Sequence, residues 1–273
     1  MGKAYEAVTE AVNARAAAEN ARLAKAAGVK HFVFASSCSV YGAAGDQPRT
    51  EESELNPLTA YARSKIAAEK ALEPLAGPDF TVTCLRFATA CGFSPRLRLD
   101  LVLNDFVASA LATGKIEILS DGTPWRPLIE VRDMARAIHW AGTRDNSAGD
   151  FLVVNAGSNQ WNYRVVELAE AVKAQLGDVE VSINKNASPD KRSYRVDFSK
   201  FARLAPDFQP QIDLAAAVRE LVKGLSAVHF ADANFRDSWL IRLKVLNRLR
   251  ETGRLDDDLR WRTPAAPAPA TGR

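Results

Sequence analysis

GVKHFVFASSCSVYG, residues 28–42, decides how this chain folds. KHFVFASS is short and almost continuously apolar, the mark of a strand buried on both faces of a parallel sheet. Gly28 in front of it is a natural C-cap for a helix over residues 3–27, which are rich in Ala, Glu, Lys and Arg. Behind it, residues 43–58 are polar and carry Pro48 and Pro57, so they read as a loop. Residues 59–76 then read as a helix and FTVTCLRF, residues 80–87, as the next strand.

The alternation continues. Helices are expected over 97–113, 132–142, 162–177, 195–204 and 212–228, and strands over 116–119, 127–131, 150–157 and 179–183. SWLIRLKVLNRLRETG, residues 238–253, has helical apolar spacing, and its basic face reads as a solvated face. Strands alternating with helices predict an α/β protein with a mostly parallel sheet. The Pro/Ala-rich residues 263–273 predict a disordered tail.

Composition narrows the function. The 273 residues are 47% hydrophobic and 25% charged, with a net charge of +3. So small and scattered an excess gives no footprint for nucleic acid. No run approaches the roughly 18 apolar residues of a membrane span, and the start lacks the apolar core of a signal peptide. Three cysteines without a framework predict reduced thiols and a cytoplasmic setting. His31, His139 and His229 show no metal spacing, so no metal is expected.

Ser37, Tyr61 and Lys65 are the residues that could do chemistry. A phenol of pKa about 10 is a poor base at neutral pH. Lys65, four residues on, falls on the same helix face as Tyr61, where an ammonium would favour phenolate. A drop of about 3 units corresponds to roughly 4 kcal/mol. A serine at the end of the neighbouring strand could bond the same substrate oxygen. Tyr and Lys four apart alone fit equally a half-buried Tyr beside a solvated Lys.

With SSCSVYG in front, the pattern resembles the extended short-chain dehydrogenase/reductases, specifically the NAD-dependent epimerase/dehydratase family. NPLTAYARSKIAAEK resembles its Tyr-Lys helix, LRFATACG its nicotinamide-lining strand, and DGTPWRPLIEVRDMARAI its phosphate-binding segment. FLVVNAGSNQWNYRVVELAEAV resembles its late strand–helix pair. The resemblance implies a Rossmann-like parallel sheet, shortened at its N-terminal side, with a smaller C-terminal α/β substrate domain. Residues 1–95, with 128–157 returning, would belong to the first, and 96–262 mainly to the second.

It also implies roles. Ser37, Tyr61 and Lys65 would be catalytic; Ser36, Tyr61, Lys65, Phe87 and Ala88 would meet NAD, with NADP left open. Ser37, Asn104, Arg126 and Arg192 would bind a nucleotide sugar, Arg126 on its diphosphate. The implied activity is that of a nucleotide-sugar epimerase of the UDP-glucose 4-epimerase kind. A related NAD(P)-dependent sugar reductase or dehydrogenase, or a non-catalytic binding protein, are the alternatives. A homodimer through helices 3–27 and 59–76 is implied as well.

Two departures matter. Cys38 and Ser39 stand where sugar dehydratases carry Asp-Glu, which disfavours dehydration. No Gly-x-x-Gly-x-x-Gly turn for a dinucleotide pyrophosphate occurs in the sequence. Weak NAD binding is therefore expected, with the chain being part of a longer fold. The strand at 32–35 should then be an edge with one bonded neighbour, open to aggregation.

Overall fold

The structure is a computed structural model that describes residues 5–43, 47–184, 187 and 193–262. Helix α1 (Glu6–Glu10) runs through a π-helical turn, Ala11–Arg15, into α2 (Ala16–Ala26). Strand β1 (His31–Ser37) follows, then a 3-10 turn, Cys38–Tyr41, and helix α3 (Ala60–Leu72). Next come β2 (Thr81–Phe87), β3 (Thr89–Cys91), α4 (Val102–Thr113), β4 (Lys115–Ile118), β5 (Trp125–Glu130) and α5 (Val131–Thr143). The chain continues through β6 (Phe151–Ala156), β7 (Asn162–Arg164), α6 (Val165–Leu176) and β8 (Glu180–Ile183). Helices α7 (Ser199–Leu204), α8 (Leu214–Ala227) and α9 (Arg242–Glu251) complete it.

The main sheet has the order β1-β2-β6, all parallel. Strand β2 is buried at every residue, as a central strand covered on both faces must be. Val82 and Cys84 face Ala68 and Leu72 of α3 and Ala21 of α2. Leu85 and Phe87 face the other way, into a core with Ala137 and Trp140 of α5 and Phe201 of α7. The alternation of side chains along a strand thus gives one strand two cores. A third core joins Leu103, Phe106 and Val107 of α4 to Leu168 of α6, Leu221 of α8 and Ile116 of β4.

Among the described residues, strand β1 is bonded to β2 alone, as the sequence led us to expect. Its burial is less complete than a continuous apolar run implies. Phe34 and Ser36 are buried, Phe32 and Val33 half-buried, and Ala35 is exposed at the open edge. The helix expected from residue 97 starts only at Val102. Asn104 turns back and binds the backbone of Gly92 and Arg98, which holds 92–98 as a loop. Residues 162–164 are likewise a strand, not helix, because they pair antiparallel with Trp125–Pro127. The expected tail at 263–273 lies outside the described residues.

Gly42 ends the 3-10 turn with φ 61, and a Cβ there would sit 1.7 Å from the Asn56 carbonyl oxygen. Backbone cannot yield cheaply at that distance. Gly42→Ala is expected to destabilise the fold by more than about 2 kcal/mol, from the disfavoured φ and the clash together. Denaturant unfolding checks it, and a loss under about 0.5 kcal/mol, the scale of an ordinary surface change, would refute the close approach.

Candidate active site

Ser37 is both the last residue of β1 and the N-cap of the 3-10 turn, where its Oγ accepts from the Ser39 amide at 3.2 Å. The register pairs Ser37 with Phe87, so Ser37 lies beside the end of β2, with Ala88 next along the chain. Phe87 and Ala88 are both buried there. Thr59 caps α3, its Oγ1 accepting from the Ala62 amide at 3.1 Å, which fixes Tyr61 in the first helical turn.

Tyr61 leaves 38% of its surface exposed, and the Ser37 side chain is near enough to its phenol to favour the ionised form. Surrounding protein raises the Tyr61 pKa above the usual phenol range, while the Ser37 side chain and the Arg98 charge pull it back. Lys65 lies one turn further on. Its Nζ is 5.5 Å from the Tyr61 ring centroid and 4.6 Å from that of Phe34, and it donates to the Ala35 carbonyl at 2.8 Å. Burial lowers the Lys65 pKa, opposed by the charge of Glu69.

The phenol pulled down by Lys65 that the spacing predicted is therefore absent from this arrangement. Desolvation dominates at Tyr61, and the ammonium is committed to a carbonyl on the open edge of β1.

Ser36 departs from its expected place against a cofactor. Neighbours along a strand face opposite ways, and Ser36 turns into the α3 face, where its Oγ donates to Glu69 Oε1 at 2.5 Å. Glu69 also accepts a two-pronged bond from Arg86, Nε at 3.0 Å and Nη2 at 2.7 Å. Arg86 Nη1 donates to the Tyr41 hydroxyl at 3.1 Å, and that hydroxyl donates to Asn155 Oδ1 at 2.7 Å. This buried chain props the end of β1 from behind.

Asn104, expected near substrate, is buried instead. Its amide accepts from the Gly92 N–H at 3.0 Å and donates to the carbonyls of Arg98 at 3.0 Å and Gly92 at 3.3 Å. It staples the loop and has little left for a ligand. Arg126 is half-buried near the start of β5, opposite Tyr163, with Nη1 donating to the Trp125 carbonyl at 2.8 Å. Arg192 lies outside the described residues. Cys38 is fully buried, its thiol pKa pushed above the usual range by burial and its Sγ donating to the Arg86 carbonyl at 3.0 Å. Such a thiol is inert.

Sequence reasoning missed Asn13. It sits in the π-helical turn, and its amide donates to Ser64 Oγ at 3.2 Å, which donates to the Tyr61 carbonyl at 2.8 Å. π-helical turns occur frequently at functional sites. The only sequence signal was a weak helix former within an Ala-rich helix.

The profile of the NAD dependent epimerase/dehydratase family matches residues 3–157. UDP-glucose 4-epimerase of Dictyostelium discoideum is 28% identical over 229 residues, covering 77% of this chain and 61% of its own. UDP-glucose 4-epimerase of Mycolicibacterium smegmatis is 30% identical over 224 residues, covering 80% of this chain and 69% of its own. Among solved structures, MoeE5 in complex with UDP-glucuronic acid and NAD superposes with a TM-score of 0.68 at 26% identity, covering 79% of this chain and 71% of that one. The chain spans 61% of the length of the first of these relatives. With residues 3–157 fitting the family profile, this chain belongs to the NAD dependent epimerase/dehydratase family.

Proposed function

We propose that this protein is a nucleotide-sugar epimerase of the UDP-glucose 4-epimerase kind. The observation that carries the reading is Ser37 at the end of β1 and Tyr61 in the first turn of α3, acting on one another, with the Lys65 ammonium 5.5 Å from the Tyr61 ring centroid. Lys65, Phe87 and Ala88 would hold the nicotinamide end of NAD, which would supply a reversible hydride acceptor at the sugar carbon. Tyr61 Oη removes the proton of the sugar hydroxyl and gives it back once the keto-sugar has turned over. Ser37 Oγ bonds the same sugar oxygen and holds it against Tyr61. Lys65 belongs to the nicotinamide side with Phe87 and Ala88 and would act on the phenol once its ammonium leaves the Ala35 carbonyl. Arg126 takes the diphosphate, the group that a guanidinium fork suits.

The pieces on the nicotinamide side fit such a cofactor, whereas the sequence holds no glycine-rich pyrophosphate turn. Inert Cys38 and the carboxylate-free Ser39 speak against dehydration. Residues 1–95 with 128–157 form the cofactor side of this reading and 96–262 the substrate side. The three buried, unpaired cysteines suit a cytoplasmic setting. Among the described residues, no helix is long and apolar enough to cross a membrane.

The test is to incubate the chain with UDP-galactose and NAD in large excess, raised until any response saturates because weak NAD binding is expected, and to follow the sugar by proton NMR. Conversion to UDP-glucose without net NADH is the expected result. NADH building up with consumed sugar would make it a dehydrogenase instead, and no sugar conversion at all would overturn the enzymatic reading.

Helices α1 to α3 form the dimer contact of this proposal. They present Val12, 62% exposed, and Leu23, 52% exposed, beside many alanines that allow close approach. Light scattering is expected to give twice the 29.7 kDa chain mass, and a monomer at every micromolar concentration would refute the contact.

A further inference from the structure

Helix α9 is fastened to the fold by polar straps. None of its ten residues is buried, and Leu243, Val245, Leu246 and Leu249 belong to none of the three cores. Its anchors are hydrogen bonds and ion pairs. Asn247 accepts from the Tyr5 hydroxyl, and Arg250 donates to that hydroxyl at 3.3 Å. Lys244 meets Asp237 at 2.8 Å, Arg250 meets Asp257 at 2.7 Å, and Arg248 reaches the Asp237 carbonyl at 3.4 Å. A helix this short is marginal alone in water and ordinarily relies on burying an apolar face. In α9, Val245, Leu246 and Leu249 are only half-buried, and Leu243 is exposed.

Two tryptophans flank the helix. Trp239, ahead of it, is 75% exposed, and Trp261, beyond it, is 67% exposed. Both sit on ordered turns. The Ser238 hydroxyl donates to the Phe235 carbonyl at 2.7 Å and accepts from the Leu240 amide at 3.2 Å, which holds the backbone on either side of Trp239. Trp261 pairs through its backbone with Leu255, and the Arg254 guanidinium lies 5.6 Å from its ring centroid. The fold therefore presents these rings to solvent.

Charge gathers in the same segment. Between Trp239 and Arg262 stand seven basic and four acidic residues, an excess equal to the net charge of +3 of the whole chain. The basic residues are solvated, as the sequence led us to expect, and so in large part are the apolar ones beside them.

We propose that α9, with Trp239 and Trp261, docks on an anionic membrane surface. A basic helix with an apolar stripe lies in the plane of the headgroups. Its Lys and Arg residues attract anionic lipid, while its apolar side chains sink to the acyl boundary. Tryptophan suits that boundary, having an apolar body and a polar N–H. A second copy of the chain fits this surface poorly. Each α9 carries four basic residues and one acidic, so two of them would meet with like charge. The inference stands apart from the nucleotide-sugar reading, because none of these residues belongs to the candidate active site.

The test is flotation of the full chain with vesicles of phosphatidylcholine alone and of phosphatidylcholine mixed in equal parts with phosphatidylserine. The chain is expected to float with the phosphatidylserine vesicles, to stay behind with phosphatidylcholine alone, and to be released by added salt. Arg242→Gln and Lys244→Gln should each weaken binding about fivefold, the contribution of one basic residue near such a surface. Trp239→Ser and Trp261→Ser should weaken it at every salt concentration. Should Trp261→Ser disturb the turn at Leu255, Trp239→Ser carries the comparison. Equal binding to both kinds of vesicle, or binding to neither, overturns the proposal. Binding unchanged in all four variants places the contact elsewhere and also overturns it. Two other outcomes sink it by naming a different occupant. Retention of the chain by RNA without vesicle binding assigns the surface to nucleic acid. A light-scattering mass that falls in Trp239→Ser, with no vesicle binding by the parent, assigns it to a second copy.

Discussion

Tyr61→Phe lowers turnover by about 10²–10⁴-fold, the usual cost of removing a positioned acid–base group. The melting transition should move little, because phenylalanine keeps the ring against Lys65 and leaves Ser37 Oγ its bond from the Ser39 amide. The loss should fall on kcat, since the phenol oxygen is needed when the proton moves and contributes little to holding the sugar nucleotide. Burial raises the Tyr61 pKa, so the phenol is neutral at pH 7 in the arrangement described. Activity carried by phenolate would then rise with pH until the phenol ionises. Bringing an ammonium closer would move that limb to lower pH. Turnover of Tyr61→Phe equal to the parent would remove this residue from the mechanism.

The Ser-Tyr-Lys constellation was legible because each part depends on local order. A strand end places Ser37, a Thr59 cap starts the helix, and the i, i+4 spacing aligns Lys65 with Tyr61. The open edge at β1 was legible through the family resemblance and the absent glycine-rich turn, not from the strand's own residues. What escaped depends on contacts across the fold. Nothing near Asn13 in sequence announces Ser64, and nothing near Arg86 announces Glu69 and Tyr41. The same holds for Lys65, whose bond to Ala35 uses a carbonyl that no strand among the described residues occupies. Ser36 was readable in principle. The two-residue period of a strand forbids Ser36 and Ser37 from sharing a face, and only one of them can meet the cleft.

Glu69→Ala destabilises the protein by about 3–5 kcal/mol, the cost of breaking a buried ion pair from one side. Both side chains of the Arg86–Glu69 pair are only 6% exposed, and their closest approach is 2.7 Å. Alanine would leave the Arg86 guanidinium buried beside Tyr41, and an arginine cannot escape by giving up its proton. Ser36 would lose its acceptor at the same time, freeing the end of β1 immediately before Ser37. Removing both charges is a different matter. Well-packed apolar groups often replace a buried pair at no net cost, so Glu69→Leu with Arg86→Met should recover much of the loss. Tyr41 would then keep Asn155 as its only side-chain partner among those described. Urea unfolding of the three proteins measures the difference. A loss below about 1 kcal/mol in Glu69→Ala would mean that water reaches Arg86 and that the pair is not buried in solution. Equal losses in the single and double variants would mean that the geometry of this network matters more than its charge balance. Since Glu69 also opposes the fall of the Lys65 pKa, Glu69→Gln should leave Lys65 easier to deprotonate. Prop and catalytic lysine would then respond together to one substitution on the buried face of α3.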